Sequence, residues 1–211
     1  MVHSKFTVAG LEERMAFSDY KNISQTQREF GIAYREERFL FAKPALPPDA
    51  FLRDLEFSRV NMDIFTSKAS RTELVISPLL REAYKQFYER YAFWIQKPLH
   101  YSEKLSGIPD YLIATKSALG KTVLEMPLVV VVEAKKNDFE QGWGQCLAEL
   151  IAAQKLNDNP SLPVFGIVTD GELWKFGKLI GTEFVLETTG YTLTDLPELF
   201  GVLVYILETA D

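Results

Sequence analysis

The 211 residues carry 23 Lys and Arg against 29 Asp and Glu, a net charge of −6 at pH 7 that argues against a broadly basic nucleic-acid-binding surface. A single cysteine, Cys146, excludes an internal disulfide and a cysteine-built zinc site, and two histidines, His3 and His100, argue against a histidine-rich metal centre. No apolar run reaches the ~18 residues that span a bilayer, and Met1 to Phe6 lacks the apolar stretch of a signal peptide, so a cytoplasmic protein without membrane association is expected.

Residues 24–31 predict a short helix with Ser24 as N-cap and Gly31 as its stop. Ile32 to Phe41 can form a strand, Pro44 to Pro48 a loop, and Pro48 opens a helix to about Phe57. Residues 1–65 are therefore expected as an ordered α/β extension packed on a domain spanning 66–211. Ser70 to Ile95 is helical in pattern, and Pro78, which has no N–H to donate, predicts a disturbance in the form of one kinked helix or two abutting ones. Leu79, Leu80, Ala83, Tyr84, Phe87, Tyr91 and Trp94 mark its buried stripe.

Pro98 to Ser102 and Tyr111 to Ala114 predict strands, and Leu128 to Ala134 predicts a central strand covered on both faces. Phe139 to Leu156 predicts an amphipathic helix with Trp143, Leu147, Leu150, Ile151 and Gln154 on the inner face. Gln141, Gln145, Ala148, Glu149 and Ala152 fall roughly opposite. After a loop at 157–163, Val164 to Val168 and Leu173 to Phe176 predict strands joined by the turn Thr169-Asp170-Gly171-Glu172. Asp195 and Pro197 open a closing helix over 196–207. The strand–helix–strand crossover implies a mixed central sheet with helices on both sides.

The chemistry-bearing residues cluster around two of these strands. Pro109-Asp110 precedes one, and Glu133-Ala134-Lys135 closes the other. A long hairpin carrying Gly120-Lys121 can join them as neighbours and bring both carboxylates and the lysine to one sheet end. Two carboxylates suit a hard cation such as Mg²⁺, and an ammonium beside them can orient a water or a phosphate. Glu133 and Lys135 point the same way on a strand, so a plain ion pair is the other outcome, just as Asp110 can simply cap a turn. All nine arginines lie at or before Arg90. Residues 1–98 sum to +2 and residues 99–211 to −8, so any grip on a phosphate backbone must come mostly from the first half.

The motifs Gly107-Ile108-Pro109-Asp110-Tyr111, Val132-Glu133-Ala134-Lys135-Lys136 and Gln141-x-x-x-Gln145-x-x-x-Glu149, in this order, resemble the PD-(D/E)XK nuclease superfamily, the restriction-endonuclease-like fold. Thr169-Asp170-Gly171-x-x-Trp174-x-Phe176 is similar to a strand–turn–strand of type I restriction subunits, and Arg71-x-Glu73-x-x-x-x-Pro78-Leu79-Leu80 to the first helix of small bacterial members. The resemblance covers residues 70–180 and departs at Glu149, where many DNA-processing relatives carry tyrosine. It implies that Asp110 and Glu133, with the Ala134 carbonyl, bind Mg²⁺ or Mn²⁺, and that Lys135 orients the attacking water or stabilises the transition state. It implies Glu73 as a further acid of the site, and Gln145 and Gln141 as contacts to substrate. Arg71 is expected at the rim, placed to meet a phosphate, with Glu73 turned toward the metal. The two glutamines can equally face solvent, and Glu73 can equally be a favourable charge in a first helical turn.

The expected activity is metal-dependent endonucleolytic hydrolysis of DNA, possible as a homodimer where both strands are cut. The alternatives are a catalytically inactive protein of the same fold that binds nucleic acid or a protein, and an interaction module whose acidic cluster is incidental. DNA and RNA are not distinguished by these residues.

Overall fold

The computed structural model of the chain describes residues 16–136 and 138–210. Part of the expected extension, residues 1–15 with His3, lies outside the described residues. The elements in chain order are α1 (Ile23–Phe30), β1 (Ala33–Glu37), α2 (Asp49–Asn61), α3 (Lys68–Arg71), α4 (Ser77–Lys85), β2 (Tyr91–Ile95), β3 (Leu99–His100), β4 (Ser106–Gly107), β5 (Tyr111–Thr115) and β6 (Leu128–Ala134). They continue with α5 (Phe139–Asn157), β7 (Val164–Thr169), β8 (Leu173–Ile180), β9 (Glu183–Glu187), β10 (Tyr191–Thr192) and α6 (Leu196–Thr209). The main sheet runs β1-β9-β8-β7-β6-β5-β2, with β10 paired to β8. Its β6/β7 and β1/β9 pairs are parallel and the others antiparallel, which makes it the mixed, helix-flanked sheet expected from the sequence. No helix among the described residues is long and apolar enough to cross a membrane.

Helix α1 is capped by Asn22, not Ser24: the Asn22 side chain accepts from the Gln25 N–H, and Ser24 only donates to Asn22. Gly31 ends it at φ +67°, the left-handed conformation that glycine adopts without penalty. At Pro78 the disturbance takes the form of a π turn over Thr72–Ile76 that joins α3 to α4. The Ser77 N–H reaches back to the Thr72 carbonyl, five residues away, which widens the helix just before the missing donor.

The helix does not extend to Ile95. Residues 86–90 turn, and Tyr91–Ile95 forms edge strand β2, antiparallel to β5. Tyr91 and Trp94 sit three apart and so fit a helical stripe, but they belong to a strand whose pairing with β5 is a long-range choice.

The two sheet faces hold separate cores. Alternate residues Val130 and Val132 pack with Ile113, Ile167 and Leu80 beneath α4 and α6. Val131 packs with Leu112, Val168, Trp143 and Leu147 beneath α5. Residues 142–154 of α5 are all buried. The face expected to meet solvent is instead covered by α1: the Thr26 hydroxyl donates to the Gly144 carbonyl, and a Cβ on Gly144 would come within 2.5 Å of the Asn22 nitrogen.

Residues after β1 are fastened by Glu187. Its carboxylate accepts from the backbone N–H groups of Phe39, Leu40 and Thr189 at 2.8, 2.8 and 3.0 Å. Burial pushes its pKa up, but those backbone donors more than offset this and hold it below the ordinary carboxylate value. The stability it adds is present above the unfolded pKa and is lost as pH falls through the folded one. Glu187→Ala leaves three donors without a partner and is expected to cost about 3 kcal/mol. Urea unfolding checks this, with faster hydrogen exchange at Phe39 and Leu40 as its local signature.

Candidate active site

Strand pairing brings the acidic residues together. Tyr111 lies opposite Val132, so Asp110 lies opposite Glu133 at the next position of the antiparallel ladder. Alternation from Val131 points the Glu133 carboxylate toward α5, where Gln145 meets it, while the Asp110 carboxylate, just before β5, meets Lys68 of α3 and the Ala134 N–H. Lys135, two residues on, follows Glu133. Asp110 Oδ2 accepts the Ala134 N–H at 2.8 Å, which fastens the end of β5 to β6. Glu133 Oε1 lies 3.1 Å from Lys135 Nζ.

Helix α5 supplies the clamp. Gln145 Oε1 accepts from Lys135 Nζ at 2.8 Å, and Gln145 Nε2 donates to Glu133 Oε2 and to Glu149 Oε1, both at 2.9 Å. One amide thus holds the cation on one side and two carboxyls on the other. Gly142 allows the close approach, since a Cβ there would stand 2.6 Å from Val168 Cγ1 and 3.1 Å from Lys135 Cγ. Glu149 is fully buried, and its Oε2 has no hydrogen-bond partner.

Electrostatics follow from this crowding. Burial, and then the Asp110 charge, push the Glu133 pKa up to about 7, against the pull of Lys135 and Lys68. Burial, and then the Glu133 charge, push the Glu149 pKa well above the ordinary carboxylate value. The Cys146 thiol is buried and pushed up likewise, which leaves it unreactive.

One residue here has no motif to announce it. Lys68, at the start of α3 after the Ser67 cap, places Nζ 2.9 and 2.8 Å from the two oxygens of Asp110. Glu149 is visible in the sequence as the end of the glutamine motif, but its burial beside Gln145 and Glu133 depends on the packing of α5 against β6.

Other expected members lie elsewhere. Glu73 is exposed and lines a cleft of about 350 Å³ between α2 and α4, so this helical segment contributes Lys68 to the site instead. Gln141 is half-buried in the first turn of α5, where its N–H completes the Asp138 cap. Arg71 is not at a rim. It is 7% exposed, with Nε donating to the Phe65 carbonyl, Nη1 to the Asp170 carbonyl, and its guanidinium over the Phe65 ring at 5.0 Å. A guanidinium so engaged joins α3 to the β7–β8 turn. Arg71→Ala is expected to cost about 3 kcal/mol on urea unfolding, as a broken buried polar network does, and to leave the salt slope of any nucleic-acid binding unchanged.

Among the described residues no group of three or more His, Cys, Asp and Glu side chains could hold a metal ion. The smaller set of Asp110 and Glu133 still fits a hard divalent cation, because Mg²⁺ takes one or two carboxylates and keeps several waters. The ammonium groups of Lys68 and Lys135 already rest on these oxygens, so the site receives positive charge. No protein-family model matches the sequence, and no curated protein matches it either.

Proposed function

We propose that the chain is a divalent-metal-dependent nuclease that hydrolyses phosphodiester bonds in DNA. The observation that supports this best is the nearness of the Asp110 and Glu133 carboxylates at one end of the neighbouring strands β5 and β6, with the Lys135 ammonium 3.1 Å from Glu133. Asp110 and Glu133 would hold Mg²⁺ or Mn²⁺, helped by the Ala134 carbonyl. A bound cation of this kind supplies charge neutralisation at a phosphoryl oxygen and lowers the pKa of water.

The remaining work falls to the protein. Lys135 has three N–H donors, of which Gln145 and Glu133 take two. The third is left for a water or a phosphate oxygen, where it offsets negative charge that grows during in-line attack. Gln145 fixes the ammonium and the carboxylate relative to each other and so acts as a positioning residue in place of the expected substrate contact.

Plasmid, linear duplex and single-stranded DNA incubated with Mg²⁺ or Mn²⁺ provide the test. Metal-dependent cleavage is expected, reduced about 10²-fold or more in Lys135→Ala. Absence of cleavage on all three substrates overturns the nuclease reading. It would favour a protein of the same architecture that binds nucleic acid or a protein without catalysis, a reading supported by Lys68 seated on Asp110 and by the burial of Arg71.

A further inference from the structure

We infer that Lys68 is a built-in counter-ion of the candidate metal centre, which must leave Asp110 for a divalent cation to enter and is then free to meet an anionic substrate. The inference rests on the metal-site reading of Asp110 and Glu133. Both oxygens of Asp110 are engaged by Lys68 Nζ, at 2.9 and 2.8 Å, and Oδ2 also accepts the Ala134 N–H. A cation that binds Asp110 therefore competes with an ammonium for the same oxygens.

The geometry makes exchange easy on one side and hard on the other. The Asp110 side chain is 11% exposed and fixed to β6, whereas the Lys68 side chain is 48% exposed. The lysine is the partner that can swing away. Its backbone is held meanwhile: the Ser67 side chain caps α3, Ser70 Oγ donates to the Asp63 carbonyl, and Lys136 Nζ donates to the Thr66 carbonyl. Displacement thus moves a side chain, not the helix. Lys135 differs, being only 18% exposed and clamped by Gln145 and Glu133, so it stays in place.

Manganese binding followed by electron paramagnetic resonance, near 0.15 M salt at pH 8, tests this on the full chain. Lys68→Met removes the competing charge, and Lys68→Gln keeps a donor for Asp110 without charge. Both are expected to bind Mn²⁺ about tenfold more tightly than wild type, the scale of one charge-assisted pair. Lys121→Met removes an exposed charge that does not touch Asp110 or the Lys68 segment, and is expected to change affinity by no more than about twofold, since exposed charges are screened. In wild-type protein with labelled lysines, Mg²⁺ should shift the Lys68 side-chain resonance, a readout that needs no variant to fold. Equal or weaker Mn²⁺ binding in both Lys68 variants, an equal gain in Lys121→Met, or an unmoved Lys68 resonance at saturating Mg²⁺ overturns the counter-ion role while leaving the metal site standing. Absence of any saturable Mn²⁺ site in wild type and variants alike removes the metal-site reading itself, and the counter-ion role with it.

Discussion

Glu133→Gln is expected to flatten the pH dependence of stability and to abolish cleavage in the same protein. The folded pKa of Glu133 is pushed up to about 7 from the ordinary 4.5, so between those values the native state binds more protons than the unfolded state. Stability then falls as pH rises through that window. Below it the carboxyl is neutral in both states and costs nothing; above it the whole cost is present, on the order of 3 kcal/mol. Glutamine is neutral throughout and removes this dependence. It also leaves Lys135 without an anionic partner and sets two amide donors against each other at Gln145, so the net gain at pH 8 is smaller, about 1 kcal/mol. Cleavage should fall about a thousandfold, because one of two metal-binding carboxylates is gone. Urea midpoints at pH 5, 6, 7 and 8, at constant ionic strength, measure the first effect. Parallel curves for wild type and variant would show that Glu133 does not titrate in this range. Added Mg²⁺ should restore wild-type stability at pH 8 and leave the variant unchanged, since a ligand that binds only the native site stabilises it by mass action.

The second large effect belongs to Gln145. Its amide is the donor to both Glu133 and Glu149 and the acceptor for Lys135, all within 2.9 Å. Gln145→Ala removes three hydrogen bonds at once and leaves two buried carboxyls without that donor. A loss of about 4 kcal/mol is expected, in the range for breaking a buried polar network. Gln145→Glu is instructive for a different reason: it keeps an acceptor for Lys135 but sets a third carboxyl against Glu133 and Glu149. Destabilisation that grows with pH is expected, read from the same urea series. A surface glutamine that touches only substrate would tolerate both changes with little loss of stability, and that result would return Gln145 to a substrate-contact role.

These two residues mark the boundary of what the sequence makes legible. Four valines before Glu133, and Pro109-Asp110 before Tyr111, signal two strands through local patterning, and their antiparallel pairing puts the carboxylates opposite each other. The crossover from β6 through α5 to β7 follows from the same patterns, because a valine-rich strand, a long helix and another apolar strand leave few arrangements. The outer face of α5 is different. Gln145 and Glu149 look solvent-facing because their polarity does not report that they turn toward Lys135 and Glu133, while α1 covers the helix at Gly144. A trace existed in Gly142 and Gly144: glycines inside a helix weaken it and mark a close approach, here to Lys135 and Asn22. Strand β2 was illegible for a related reason. Tyr91 and Trp94 satisfy helical spacing after Phe87, and residues 86–90 contain neither glycine nor proline to announce the turn. Lys68 and Arg71 depended on tertiary contacts altogether, one reaching Asp110 and the other Asp170.

The central claim is that Asp110 and Glu133 hold one divalent cation between them. Crystals soaked in MnCl₂, with diffraction collected on the high-energy side of the manganese absorption edge, test it directly. A single anomalous peak is expected within about 2.5 Å of a carboxylate oxygen of each residue, with Lys68 Nζ displaced from Asp110. No peak at that position in well-ordered, manganese-saturated crystals, or a peak bound by other residues while Lys68 remains on Asp110, would contradict it.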